Sequence, residues 1–99
     1  SKAMEVDLTQ SYQQYKLFPN YANPFNATTT IQYQIPKASH VKISAYNITG
    51  QLIEILADDY HAPGLHRVQW NANTTPSGMY ICRVEAGEYQ ADRKLILLK

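Results

Sequence analysis

The chain has 99 residues, nine Lys or Arg against eight Asp or Glu, 44% hydrophobic residues and only 17% charged ones. That is one domain's worth of chain. It is too apolar for intrinsic disorder, and too near neutrality to carry the basic footprint of a nucleic-acid binder. No run of about 18 apolar residues is present to span a membrane. The single cysteine, Cys82, excludes an internal disulfide. Eight tyrosines stand against two phenylalanines, and tyrosine suits pleated, half-buried strands.

Residues 1–16 are polar and weakly patterned and read as a linker or cloning remnant, so the domain is expected over 17–99. Residues 17–26 form a loop with apolar anchors. Pro19 and Pro24 push Phe18 and Asn23 out of the helical region, and Leu17, Phe18 and Phe25 are placed to pin the loop to a core. From Thr28 to Ile35 the chain alternates, with Ile31, Tyr33 and Ile35 on one face, and Pro36 ends the run. Residues 41–46 alternate again. Asn47, Ile48, Thr49 and Gly50 make a turn, with Gly50 free to take positive φ.

A third strand is predicted over 51–56, then a turn-rich loop over 58–64 that ends in Pro63-Gly64. Further strands are predicted over 65–71, 79–85 and 89–98, joined by a polar loop at 71–78 and a tight turn at 86–88. No stretch shows helical periodicity. Turn signals every 8–12 residues are the mark of a sandwich or barrel. The expected fold is all-β, an immunoglobulin-like antiparallel β-sandwich of about six to seven strands. Its expected core is Ile31, Ile35, Val41, Ile43, Leu52, Ile55, Val68, Trp70, Tyr80, Val84, Leu95 and Leu97.

Tyr80 lies two residues before Cys82 on a late strand. Immunoglobulin-like sandwiches use this spacing for a tyrosine corner, in which the hydroxyl bonds to backbone just upstream. Without a disulfide partner, Cys82 reads as a small buried apolar residue. An apolar strand raises its pKa and leaves it inert.

Catalytic signals are few. There is no Gly-x-Ser-x-Gly elbow and no glycine-rich phosphate loop. The eight carboxylates show no pair set in a cleft, so no enzymatic activity is expected. His61 and His66 flank Pro63-Gly64 with Asp58 and Asp59 near. A solvated hairpin loop explains them better than a metal site, which needs a tighter ligand set. No metal and no cofactor is expected. Tyr46, Tyr60, Tyr89 and Trp70 offer material for a sugar-stacking platform, against the plainer assignment of Trp70 to the core and the tyrosines to strand faces. Asn26, Asn47 and Asn73 each begin an Asn-x-Ser/Thr triplet within a turn, where asparagine is at home without any glycan.

Four ordered blocks resemble a known family. Residues 17–31, LFPNYANPFNATTTI, resemble the opening of the C-terminal sorting domains of the type IX secretion system, and residues 41–51, VKISAYNITGQ, their second block. Ser77-Gly78-Met79-Tyr80 is similar to their late Ser-Gly-aromatic strand, and Lys94-Leu95-Ile96-Leu97-Leu98-Lys99 to their closing strand. The residues that match the family pattern are Pro19, Asn20, Asn23, Pro24, Phe25, Asn26, Gly50, Trp70, Gly78 and Tyr80. The departures are Ala22 and Ala27, where relatives often have proline, and Cys82, where an aromatic is common. The immunoglobulin-like domain of the flagellar hook-capping protein shares much of the pattern.

The resemblance implies a non-enzymatic module that directs an upstream cargo in the same chain through the type IX translocon to the cell surface. There a sortase removes it. Localisation would then be the cell surface or the extracellular space. With it comes an expectation about mechanism: Lys94, Leu95, Ile96, Leu97, Leu98 and Lys99 form an exposed end strand, open to β-augmentation by a receptor or to self-association through its edge. The alternative is an adhesive or carbohydrate-binding β-sandwich appended to a secreted enzyme.

Overall fold

The computed structural model describes residues 14–20 and 24–99. Among them are seven strands and no helix: β1 (Lys16–Leu17), β2 (Thr28–Ile35), β3 (Ser39–Asn47), β4 (Leu52–His61), β5 (Gly64–Asn71), β6 (Gly78–Ala86) and β7 (Tyr89–Leu97). Two sheets result, one in the order β1-β2-β5 and the other β4-β3-β6-β7. Every pairing is antiparallel, as expected of an immunoglobulin-like sandwich.

Alternation builds the core. On β2 the buried set is Thr29, Ile31, Tyr33 and Ile35, with the residues between them more exposed. Facing them from the other sheet are Val41, Ile43 and Ala45 of β3, Tyr80, Cys82, Val84 and Ala86 of β6, and Leu95 and Leu97 of β7. Register places these apolar residues directly opposite one another: Ile43 meets Val84, Ala45 meets Cys82 and Tyr80 meets Leu95. Full burial of each large aliphatic side chain stabilises the fold by roughly 1.5–3 kcal/mol. Trp70, fully buried, lies between the rings of Phe25 (centroids 5.6 Å) and Tyr80 (5.5 Å, edge-on).

The β4 region differs from the expected one. The strand does not stop near residue 56 but runs to His61, leaving only Ala62 and Pro63 before β5. Asp58 and Asp59 have turn propensity, yet Lys42 and Val41 of β3 pair with them and hold them in the sheet. Leu52 and Ile55, expected in the core, are 50% and 45% exposed. Two register shifts, at Ile43/Ser44 and Ala45/Tyr46, interrupt the alternation of this edge strand. Leu56 and Ala57 pack against the core in their stead. Val68 is also only partly buried.

Before β2, Leu17 is buried in the core while Lys16 and Leu17 pair with Gln34 and Tyr33. Tyr15 stacks on Tyr89 at 4.8 Å, and Arg93 donates to the Leu17 carbonyl. The first described residues are thereby held to both sheets.

Candidate functional site

The end strand β7 lies at the edge of the four-stranded sheet and, among the described strands, pairs with β6, from Gly78↔Leu97 to Ala86↔Tyr89. Its apolar run divides by alternation. Leu95 and Leu97 are fully buried, Ile96 is half-buried, and Lys94, Leu98 and Lys99 are exposed. The outer side of the strand end is already occupied by Phe25. The Phe25 amide donates to the Ile96 carbonyl (2.9 Å) and the Leu98 amide donates to the Phe25 carbonyl (2.8 Å), a parallel bridge centred on Leu97. The Lys99 amide donates to Ser77 Oγ (3.0 Å), and its ammonium to the Asn73 carbonyl (2.5 Å). A run of apolar residues at a chain end looks open in sequence. Here half of it is core, and the backbone of Ile96 and Leu98 is bonded to a residue some seventy positions earlier.

The motif residues fall into two groups. Phe25, Trp70 and Tyr80 form one aromatic cluster, Phe25 tilted against Trp70 and Tyr80 edge-on to it, and the Tyr80 hydroxyl donates to the Pro76 carbonyl. Asn20, nearly buried, donates through Nδ2 to Thr29 Oγ1 (2.9 Å), tying the loop to β2. Pro19, Pro24 and Asn26 are exposed, Gly78 opens β6, and Asn23 lies outside the described residues. Gly50 sits apart, in the β3–β4 turn with φ +88°. That turn is organised by Asn47, whose Oδ1 accepts from the Thr49 amide, the Thr49 hydroxyl and the Gln51 amide.

Sequence reading missed one feature. The β3–β4 turn and β7 together line a cleft of about 330 Å³ whose wall includes Tyr46, Ile48, Ile81 and Lys94. The Arg83 guanidinium lies 5.3 Å over the Tyr46 ring and donates to Asp92 (3.0 and 3.4 Å). No local motif signals this cleft, because cross-strand register assembles it.

The other constellations resolve as follows. His61 and His66 do face each other, with ring centroids 4.9 Å apart, and Tyr33 lies against both. Burial pushes the Tyr33 hydroxyl up to about 12. Burial, reinforced by His66 and His40 and opposed by Asp59, lowers the His61 pKa. Among the described residues no group of three or more His, Cys, Asp or Glu is arranged to hold a metal ion. No described helix is long and apolar enough to cross a membrane. Trp70 is core, Tyr46 lies under Arg83, Tyr89 under Tyr15, and Tyr60 is exposed beside His40. The four aromatics do not form one platform.

A family model described as the secretion system C-terminal sorting domain matches residues 16–98. No curated protein and no solved structure gives a significant match. With all but the first fifteen residues and the last one inside that match, and with an all-β sandwich of two antiparallel sheets beneath it, the chain belongs to the C-terminal sorting domains of the type IX secretion system.

Proposed function

We propose that this domain is a non-enzymatic secretion signal. It directs an upstream cargo in the same chain through the type IX translocon to the cell surface, where a sortase acts on it. The observation that carries this reading is the family match over residues 16–98. In this reading the signal includes the family-matched span 16–98 together with Tyr15, which packs on Tyr89, and the linker to the cargo lies before them.

The geometry supports recognition of the end strand by its outward side chains. Lys94, Leu98 and Lys99 are exposed, while Leu95 and Leu97 anchor the strand in the core. Phe25 occupies the outer backbone groups at Ile96 and Leu98, so β-augmentation there would first have to displace Phe25. A receptor that reads side chains needs no such rearrangement.

The test is a fusion of the full chain to the C-terminus of a periplasmic reporter in a type IX-competent bacterium. The reporter is expected at the cell surface or in the medium. Retention in the periplasm overturns the sorting reading.

A further inference from the structure

The leading residues follow the end strand in the same direction. Tyr15 stacks on Tyr89 at 4.8 Å, the Arg93 guanidinium donates to the Leu17 carbonyl, and Phe25 forms its parallel bridge with Leu97. Advancing from Tyr15 through Leu17 to Phe25 on one side thus advances from Tyr89 through Arg93 to Leu97 on the other. The partners on β7 are an even number of residues apart, so they share one face of the strand. That face also carries the buried Leu95.

The same leading residues are tied to the opposite sheet. Lys16 and Leu17 pair with Gln34 and Tyr33, the Phe18 amide donates to the Gln32 carbonyl (3.0 Å), and Asn20 donates to Thr29. The side chains of Leu17 and Phe25 are buried in the core. They therefore join the two sheets to each other as well as the start of the domain to its end strand.

Direction decides how such contacts respond to tension. When two segments run parallel, pulling the start of one against the end of the other drives them past each other, and every contact between them is strained together. When the load falls on two neighbouring ends, the contacts are strained and lost one after another. Cargo upstream of Tyr15 pulls at the start of the leading segment. A receptor that holds the exposed Lys94, Leu98 and Lys99 pulls at the end of β7.

We propose that Tyr15, Leu17 and Phe25 form with β7 a mechanical clamp, which keeps the signal folded while cargo is drawn through the translocon. The clamp rests on the sorting reading and deepens it, since cargo joins the domain beside the start of β7 and the receptor takes hold at its end. Slippage requires the loss of the Arg93 bond and of both Phe25 backbone bonds, and the withdrawal of Leu17 and Phe25 from the core.

The test is unfolding of the purified full chain under constant load, a process governed by the unfolding rate. One handle is at residue 1. The second is at Lys99 or, through Glu88→Cys, in the β6–β7 turn, where Gly87 and Glu88 border one cleft with Tyr15. The chain held at Lys99 is expected to last at least about tenfold longer than the chain held at position 88. In the Lys99 attachment, Arg93→Met keeps the stem and removes the donor, and is expected to unfold roughly threefold faster or more. Arg67→Met, at an exposed position on β5 of the other sheet, unfolds as the parent does. Equal lifetimes in the two attachments overturn the clamp and leave the sorting reading standing, and so does an Arg93→Met chain that lasts as long as the parent. Retention of the unmutated reporter fusion in the periplasm overturns the sorting reading, and with it the role given to the clamp, whatever the lifetimes.

Discussion

The Tyr80 hydroxyl donates a 2.6 Å hydrogen bond to the carbonyl of Pro76, four residues upstream. This is a tyrosine corner, and it fixes the loop between the two sheets to the start of β6. The ring is nearly buried and lies edge-on to Trp70, so the hydroxyl is held by packing as well as by its acceptor. Replacing Tyr80 by Phe keeps the ring and removes the bond. A cost of about 1 kcal/mol is expected, or a fall in melting temperature of roughly 4–8 °C for a domain of this size. Calorimetry on the two chains checks it, and coincident transitions would mean that the corner contributes nothing to stability.

Cys82 is fully buried opposite Ala45, and burial, with a smaller contribution from Asp92, pushes its thiol up to about 12. The thiolate is the reactive species. The native chain at pH 8 is therefore expected to react with a disulfide reagent at least about a hundredfold more slowly than the chain unfolded in urea, where the thiol returns to about 8.5. Equal rates would place Cys82 at the surface.

How much could be read from sequence depended on where each strand lies. β2 was legible to the residue because both its faces obey period-two alternation and Pro36 follows directly. β4 was not. As an edge strand with two register shifts, it leaves Leu52 and Ile55 outside, and no propensity marks a shift of register. β1 has two residues and no period to detect. The family blocks were legible as local strings. The bridge from Phe25 to Leu97 was not, and neither was the cleft between the β3–β4 turn and β7, since both depend on pairings between distant segments.

The His61–Tyr33 contact makes the corner between β4 and β5 sensitive to pH. The Tyr33 hydroxyl, kept protonated by burial, donates to Nδ1 of the neutral His61 ring, and His66 stacks on the same ring. The folded-state pKa of His61 is lowered, chiefly by burial and then by His66 and His40, with Asp59 acting in the opposite direction. The unfolded chain therefore binds the proton more readily. The His61 contribution is fully present above the unfolded value of about 6.5. It is lost as pH falls from there through the lowered folded value. Urea midpoints measured from pH 7.5 to pH 5 are expected to fall, and to fall less in His61→Gln. The same pH dependence in both chains would remove His61 as its source.

Phe25 is the remaining point on which the end strand depends. Its ring is buried against Trp70, and its backbone holds both the Ile96 carbonyl and the Leu98 amide. Phe25→Ala leaves a cavity beside Trp70 and is expected to cost about 3–5 kcal/mol, which a small domain survives poorly. Phe25→Leu preserves most of the volume and should cost less than about 1.5 kcal/mol, so it serves as the working variant. The two backbone bonds at the end of β7 depend on Phe25 staying in place. β6, by contrast, is flanked by β3 and β7. Amide exchange is therefore expected to quicken more at Leu98 than at Val84 in Phe25→Leu. Equal acceleration at the two sites would mean that Phe25 stabilises the sandwich as a whole and does not specifically hold the strand end.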